Sequence, residues 1–371
     1  MQISYIGMQT QEVAIKPNLR VVLKSDAQLI DEVVVTGYGV TKKAAFTGSA
    51  QTVDNKDLMK KTDANFMKSL EGSVAGLQVN SLTGQPGAYA STTIRGVGSM
   101  NSGTEPLYVI DGIAIYTDKM GAYNKAGTGD MAASPMANIN PNDIESITVL
   151  KDATATAIYG ARAANGVIVV TTIKGKNGVK SLSYDGSFGI ATVYKNLDML
   201  SASQYRAAAQ NLGISILDKG YDTNFIEEMQ QSGYTQNHRL SFSNGNEDSN
   251  YRASIGVIDQ KGIIKNNTMR NYTAKIDAMQ NMFNNKLKLE FGMFGSLKEN
   301  RYVNDYQKTF YSAASYNPTF PNVKNPETGM WDENANANEV HNPLGRLDID
   351  DRETNALLMR MHALLIALQM I

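Results

Sequence analysis

The chain has 371 residues and an almost balanced charge, with 35 Lys and Arg against 36 Asp and Glu. This balance gives no basic field for binding nucleic acid, and the absence of cysteine excludes disulfides, thiolate metal sites and cysteine nucleophiles. Charged residues make up only 19%, while Gly (31) and Tyr (18) are frequent. Such a composition is typical of a β-rich chain with many turns.

The N-terminal residues predict the end of a small β domain. Residues 1–25 contain short β-branched runs that are interrupted by a Lys-Pro-Asn turn at 16–18. Because a lone hairpin is only marginally stable in water, we expect this segment to be the remnant of a larger domain. The first ten residues, MQISYIGMQT, show no signal peptide, and no run reaches the about 20 apolar residues of a transmembrane helix.

Residues 31–39, with the sequence DEVVVTGYG, predict a strong strand in a polar and flexible setting. The pattern permits a buried strand. It equally permits an exposed strand offered to the sheet edge of a partner, since β-augmentation provides affinity through main-chain hydrogen bonds. The segment consists of Asp31, Glu32, Val33, Val34, Val35, Thr36, Gly37, Tyr38 and Gly39.

Residues 46–176 predict a compact α+β unit. Short helices are expected at 57–61 and 63–70, with Asp63 as an N-cap. The stretch 70–80 and the residues around 92–95 are strand-like, and a Gly-Gln-Pro-Gly turn separates them.

The second half of this unit contains clearer turn signals. Asp111 and Gly112 divide two apolar runs, which is a strong hairpin signal. The strand ESITVLKD is expected to lead into a helix at 153–159, with Asp152 as its N-cap and Gly160 directly after its end.

Residues 177–355 change to longer strands with strict alternation of apolar and polar side chains. The connections alternate too, and the first long one contains a predicted helix at 203–212. Long connections on one side and short ones on the other favour an outer-membrane barrel over a soluble sandwich. The five predicted strands lie at 181–193, 239–243, 251–257, 272–278 and 287–293.

Several blocks resemble the SusC/RagA-type TonB-linked outer-membrane proteins of Bacteroidota. They are DEVVVTGYG, TTIRGVGS, PLYVIDGI and, above all, DIESITVLKDATATAIYGARAANGVIVVTTIKG. The resemblance covers residues 1–355. It implies the remnant of a carboxypeptidase-regulatory-like β domain, an α+β plug domain and the first antiparallel strands of a truncated transmembrane β-barrel. The plug signature residues are then Arg95, Gly96, Asp111, Gly112, Lys151, Asp152, Tyr159 and Gly160.

The resemblance also implies a function. Such a protein imports oligosaccharides or peptides together with a SusD-like surface lipoprotein, and its wall contacts outer-membrane lipid. TonB, energised by ExbB and ExbD, would pull the plug through residues 31–39, in which Val33, Val34 and Val35 set the strand while Gly37 and Gly39 keep it flexible. No enzyme, cofactor or metal is implied.

Two features depart from the family pattern. A barrel of 22 strands at about ten residues each needs several hundred residues, more than 177–371 supply, and five strands leave two edges whose backbone groups lipid cannot satisfy. Residues 356–371 are an apolar, helix-like run where an alternating strand is expected. An amphipathic helix is one interpretation. The one we favour is an out-of-frame tail, because LMRMHA can be encoded by DNA that reads Asn-Ala-Asn-Ala-Arg one base earlier.

The remaining site candidates are weak. The histidines at 238, 341 and 362 lack ligand spacing, no catalytic constellation is present, and DIDD at 348–351 fits a solvated loop better than a Ca²⁺ site. Arg95 is expected to be a buried charge paired within the plug or barrel rather than a substrate contact. Aromatic residues of the last long loop suit sugar stacking, but also loop packing or an interfacial girdle: Tyr302, Tyr306, Phe310, Tyr311, Tyr316, Phe320 and Trp331.

Two other functions compete with the importer. One is a TonB-linked receptor that signals to an anti-sigma factor, which would require a further N-terminal domain. The other is a soluble plug-like binding protein, which would be a secreted, folded monomer.

Overall fold

The computed structural model describes residues 2–3, 11–12, 33–36, 39–42, 49–58, 66–81, 83–88, 90–98, 104–115, 135–152, 156–333 and 340–366, with side chains described between 49 and 360. Two small antiparallel pairs come first: β1 (Gln2–Ile3) with β2 (Gln11–Glu12), and β3 (Val33–Thr36) with β4 (Gly39–Lys42). The predicted TonB segment is therefore paired in part with the chain that follows it. Asp31, Glu32, Gly37 and Tyr38 lie outside the described residues.

A five-stranded sheet forms the centre of the plug. Its strands are β5 (Ala50–Asp54), β8 (Leu107–Ile110), β9 (Ile113–Ile115), β10 (Ile144–Leu150) and β11 (Val167–Thr172), in the order β5-β10-β11-β8-β9. Only β8 and β11 run parallel. A separate hairpin consists of β6 (Leu77–Ser81) and β7 (Ala90–Ile94). The three central strands β8, β10 and β11 are mostly apolar and almost completely buried, as expected of internal strands, whereas the edge strands β5 and β9 are partly exposed.

The short helices of the plug differ from the predicted ones. Helix α1 is Asn55–Leu58 and α2 is Met67–Leu70, while Asp63 lies outside the described residues. Residues 71–76 form turns rather than a strand. The helix predicted at 153–159 is instead a 3-10 helix at Ala157–Ala163. Gly160 lies inside it, not after its end, and forms a kink with φ 72° and ψ −162°, a conformation that glycine tolerates best.

A second sheet of six antiparallel strands follows in sequence order, here called the wall. Its strands are β12 (Lys180–Ala191), β13 (Gly233–Gly245), β14 (Ser249–Lys261), β15 (Thr268–Met282), β16 (Leu287–Tyr302) and β17 (Asp351–Ile366). All five predicted strands are present. The helix-like interpretation of the tail is wrong, because residues up to Ile366 pair with β16 along its full length, and the backbone hydrogen bonds of that edge outweigh local helix propensity.

The wall has its apolar face outside. On β15, Tyr272 and Ile276 keep 43% and 42% of their surface exposed, whereas Asn271 and Lys275 on the opposite face are buried against the plug. A soluble sandwich would bury the apolar face between its two sheets. The arrangement of the wall is typical of barrel strands, which direct apolar side chains to lipid and polar side chains to the interior.

The long connections at one end of the wall pack together. Residues 192–232 contain α3 (Ala202–Leu212) and α4 (Phe225–Glu228), and residues 303–350 contain α5 (Tyr306–Ser315) and α6 (Pro343–Leu347). With residues 262–267 they bury a common apolar core, and we call these three connections the loop cap. The predicted helix at 203–212 is confirmed and begins with a capping box at Ser201. Among the described residues, no helix is long and apolar enough to cross a membrane.

Candidate functional site

Three signature residues, Arg95, Lys151 and Asp152, form a clasp at the start of β5, the first strand of the plug sheet. The Asp152 carboxylate pairs with the Arg95 guanidinium and accepts a 2.7 Å hydrogen bond from the Ser49 amide. Lys151 donates from Nζ to Gln51 Oε1 at 3.0 Å and to the Ala75 carbonyl at 2.6 Å. The clasp therefore fastens the start of β5 and the β6–β7 hairpin to the end of β10.

The clasp is solvent-accessible and electrostatically crowded. Arg95 pairs within the plug as expected, but its side chain is 55% exposed, so the prediction that it is buried is wrong. Its backbone has φ 59°, and its amide donates to the Gly76 carbonyl at 2.7 Å. Partial burial lowers the pKa of Lys151, and the neighbouring Arg95 lowers it further, while Asp152 partly compensates.

Asp111 and Gly112 form the predicted hairpin turn between β8 and β9. Both have positive φ, 48° and 88°, as a tight two-residue turn requires. The Asp111 carboxylate accepts hydrogen bonds from the Thr172 amide at 2.9 Å and from the Thr172 hydroxyl at 2.5 Å. The turn is thereby fixed to the end of β11. Gly96 follows Arg95 with φ 86°, and Tyr159 packs partly buried against the core around Val167.

The plug is joined to the wall by buried polar contacts. Asn140 and Asn237 exchange two side-chain hydrogen bonds of 3.0 and 3.3 Å. Asp143 pairs with Arg239 at 3.3 Å and accepts from the Ser254 hydroxyl at 2.9 Å. Each of these five residues exposes less than a tenth of its surface. Charge-assisted bonds at such burial fix both position and register.

The same interface continues along the next strand. Asn271 Nδ2 donates to the carbonyls of Ala137 and Asn138 at 2.9 and 3.1 Å. Gly256 allows the close approach, because a Cβ there would lie 2.7 Å from Asn140 Nδ2. These plug–wall residues were not predicted as a site. The alternation of apolar and polar residues along each strand marks these polar side chains in the sequence. It does not indicate which plug residues they contact.

The tip of the plug touches the base of the loop cap. The Val303 amide donates to Gln85 Oε1 at 3.0 Å, and Val303 belongs to the core of the cap. A Cβ at Gly87, which has φ 66°, would lie 2.6 Å from Met269 Sδ. The Gly-Gln-Pro-Gly turn therefore fits tightly against the start of β15, next to the cap.

Most aromatic residues of the last long loop take part in packing. Tyr302 and Tyr316 are 4% exposed, and the Tyr316 hydroxyl donates to the Asp332 carbonyl at 2.6 Å. Phe320 is fully buried, and Tyr306, Phe310 and Trp331 pack against the same core. Tyr311 is 63% exposed and offers the largest free aromatic surface. Ligand contact by these residues stays a prediction.

The acidic DIDD stretch is neutralised by neighbouring cations. Asp348 accepts from Trp331 Nε1 at 2.8 Å and pairs with Lys324 at 2.8 Å, and the Lys324 hydrogen bond lowers the pKa of its carboxyl against the opposing effect of burial. Asp350 pairs with Arg301 and Arg352 at 3.0 and 2.9 Å. These bonds use the carboxylates that a Ca²⁺ site would need. The described residues contain no group of His, Asp and Glu side chains suited to a metal ion.

The chain is similar to known proteins in both sequence and structure. The profile of the TonB-dependent Receptor Plug Domain matches residues 42–167. The TonB-dependent receptor SusC of Bacteroides thetaiotaomicron is 36% identical over 377 residues, which cover 95% of this chain and 37% of SusC. The TonB-dependent receptor P3 of Formosa agariphila is 34% identical, and the alignment covers 74% of this chain and 26% of that protein.

A solved structure agrees with these relatives. The RagAB peptide importer in its open-open state superposes with a TM-score of 0.61 at 29% identity, covering 73% of this chain and 32% of that one. The chain thus spans about a third of the length of its relatives. The plug signature residues, the polarity of the wall and these similarities all indicate the same family. The chain belongs to the SusC/RagA-type TonB-dependent receptors, of which it carries a plug domain followed by part of the barrel sheet.

Proposed function

We propose that this chain supplies the plug and the adjoining wall of an outer-membrane importer for oligosaccharides or peptides. The observation that carries the proposal is the polarity of the wall. Its polar face holds the plug through Asn237, Arg239 and Asn271, while its apolar face is exposed. Lipid around the barrel would explain the exposed apolar face, and a lumen filled by the plug would explain the polar face. The solved structure named as a peptide importer supports peptides as one class of cargo.

Residues 31–39 would transmit the force of TonB. One edge of β3 pairs with β4, and within the described residues its other edge carries no strand ladder. TonB would add a strand there by main-chain hydrogen bonds. We expect ExbB and ExbD to energise TonB, as in the family that the sequence resembles.

The path of the force leads to the clasp. From β3, which lies next to β5 and β11, the chain leads to Ser49, whose amide is bonded to Asp152, and into β5, which is an edge strand of the plug sheet. A strand pulled from one end loses its ladder bonds one after another. β5 would therefore separate from β10 before the internal strands yield.

The loop cap would face the outside and receive the SusD-like lipoprotein. The contact between Gln85 and Val303 joins the plug tip to the core of the cap. A ligand or partner that moves the cap would thus move the plug tip as well. Of the predicted aromatic ligand contacts, Tyr311 is the most accessible candidate.

Binding to the periplasmic domain of TonB tests the proposal. The chain, purified in detergent, should bind this domain. Val35→Pro should abolish binding, because the Val35 amide faces away from β4 in the register of the hairpin and proline removes that main-chain donor from the open edge. Val35→Thr is the matched control, since it keeps the donor and the β-branched side chain. Equal binding by the proline variant, or no binding by the unchanged chain, would refute the role of residues 31–39.

A further inference from the structure

Charged side chains on the outward face of three wall strands, β14, β15 and β16, lie only at the end next to the loop cap. Outward positions on these strands alternate with more deeply buried ones. From the end remote from the cap, the outward positions carry no charge up to Val257, Tyr272 and Leu297. The charged residues occupy the two positions that follow on each strand. An outward apolar band ends in this way at the border of the hydrocarbon layer.

The pairing of the strands arranges these residues in two rows across the wall. The row nearer the cap, here called the basic row, consists of Lys261, Thr268, Arg301 and Arg352. The row below it consists of Asp259, Arg270, Glu299 and Thr354. Because neighbouring strands lie about 4.8 Å apart, the basic row places its three cations within about 15 Å of one another. None of its members is acidic.

The fold neutralises the basic row only in part. Arg301 and Arg352 are direct partners on adjacent strands, and like charges in such positions destabilise a sheet. Both pair with one carboxylate, that of Asp350, at 3.0 and 2.9 Å. The Arg352 side chain is nevertheless 69% exposed. Within the part of the chain that the structure describes, Lys261 forms no ion pair. The basic row therefore keeps an excess of positive charge.

The row below the basic row holds the opposing charges. Asp259 is occupied by Arg270, which pairs with it at 2.8 Å. Glu299 forms no ion pair among the described residues, and it lies one row further from the cap. An anion at the basic row would thus meet its cations first, while Glu299 would weaken the attraction.

The position of the basic row indicates the kind of partner. A molecule that covers it also borders the apolar face, on which Tyr272 and Leu297 are exposed. A lipid meets both requirements, since its acyl chains would lie along the strands while its head group reaches the cations. Basic residues at a membrane surface attract anionic head groups, and guanidinium groups bind phosphate through paired hydrogen bonds. A free phosphate ion would leave the apolar face uncovered.

We propose that the basic row binds the phosphate head group of an anionic lipid whose acyl chains lie along the apolar face of the wall. A phosphate monoester between Arg301 and Arg352 would supply the negative charge that Asp350 alone does not provide. The inference rests on the lipid contact of the wall in the importer proposal, and it adds the chemistry of the lipid. A wall that meets lipid without selecting its head group would leave the importer proposal intact.

Flotation of the full chain with lipid vesicles tests this surface. One set of vesicles consists of phosphatidylcholine, and in the other a fifth of the lipid is phosphatidic acid, whose head group is a phosphate monoester. The chain should partition more strongly into the second set, and excess soluble glycerol phosphate should not displace it. Equal partition overturns the lipid preference and leaves the lipid-facing wall standing, whereas partition into neither set contradicts both. Displacement by glycerol phosphate would show that a free phosphate suffices and would contradict a lipid partner.

Removing one cation locates the binding. Lys261→Gln should lower partition into the phosphatidic acid vesicles about fivefold, as expected for one basic residue near an anionic surface. Partition into pure phosphatidylcholine should stay the same. Lys56→Gln is the matched control, because it changes the net charge equally at an exposed position of the plug helix α1. Equal losses in the two variants would trace the preference to overall charge and contradict the basic row.

A change of the opposite sign sharpens the test. Glu299→Gln removes the carboxylate below the basic row and should raise partition into the phosphatidic acid vesicles by a similar factor. A gain cannot result from loss of folding, which would lower binding. Unchanged or weaker partition of this variant would mean that the head group lies elsewhere. Urea unfolding midpoints of all variants are compared, so that the loss in Lys261→Gln is not mistaken for loss of folding.

Discussion

The plug and the wall are both β-sheets, but they distribute apolar side chains in opposite ways. In the plug, Ile147 on β10 and Ile168 on β11 are fully buried. On β15 of the wall, Ile276 is 42% exposed, while Lys275 beside it in sequence is 5% exposed. The plug is thus built like the core of a water-soluble protein and the wall like a strand in lipid. The two surfaces meet through polar contacts rather than through a shared apolar core alone.

This difference suits a plug that must stay in place and yet be released. An apolar interface would resist separation along its whole area, because its stabilisation scales with the apolar area removed from water. Directional contacts such as Asp143–Arg239 fix one position and can be lost individually. Removing such a contact should therefore have the largest effect.

Asp143→Asn is expected to destabilise the docked plug by about 3 kcal/mol, because it removes the charge that Arg239 pairs with in a buried setting. Arg239 keeps Asp185 at 3.0 Å, which holds the loss at the lower end of the range for buried pairs. Hydrogen exchange of residues 135–152 should quicken. Lys265→Ala, which breaks the exposed pair with Glu228, should leave this exchange unchanged. Unaltered exchange in the Asp143 variant would show that the polar contacts do not hold the plug.

A charge on the outer face of the wall tests the opposite surface. Ile276→Arg should weaken association of the chain with lipid vesicles by about 2–4 kcal/mol if the residue lies near the middle of the bilayer. Urea titration of the vesicle-bound chain measures the change. Arg270→Lys, on the same face but already charged and paired with Asp259, is the control. Equal midpoints for Ile276→Arg and the unchanged chain would mean that this face does not meet lipid.

The closeness of plug and wall is tested by adding one methyl group. Gly256→Ala should cost about 1–3 kcal/mol, because the new Cβ would lie 2.7 Å from Asn140 Nδ2 and 2.9 Å from Thr273 Oγ1. Gly295→Ala on β16 is the matched control, since its nearest neighbours lie 4.0 Å away. Thermal unfolding followed by circular dichroism compares the two. The same loss in both variants would trace the effect to the strand backbone and not to the plug contact.

Sequence patterns predicted the secondary-structure elements of this fold better than the side-chain contacts between them. Alternation located all five wall strands, and Asp111-Gly112 located the hairpin, because both signals are local. The partners of Arg239 and Asn271 depend on residues about a hundred positions away, and no local pattern contains them. The pairing of Lys151 with Ala75 was missed for the same reason.

The tail shows the other limit of sequence reasoning. Its composition is helix-like, but residues up to Ile366 form β17 by pairing with the edge of β16. At residues 357–360 it does not keep the polarity of the wall: Leu357 and Met359 pack against the plug core, while Arg360 is on the exposed face. This supports our proposal that the tail is out of frame. Sequencing the genomic DNA tests it, since a continuous alternating strand in the neighbouring frame is required.

The smallest effect is expected at the exposed pair of Arg206 and Asp218 in the loop cap. The hydrogen bond from Arg206, with a further one from the Gly220 amide, lowers the pKa of Asp218 to about 2. Because the carboxyl is more acidic when folded, its contribution is complete above the unfolded pKa of about 4. It is lost as the pH falls from there towards 2. Hydrogen exchange of residues 202–212 should therefore quicken slightly at pH 2.5 relative to pH 5.

Asp218→Asn should remove most of this pH dependence while leaving exchange in the plug unchanged. If the variant keeps the full pH dependence, another carboxyl controls the cap. Asp222, which accepts from Ala202 at the start of the same helix, is then the next group to replace. A cap that loosens at low pH should do so over the interval in which the Asp218 carboxyl becomes protonated, between about 4 and 2.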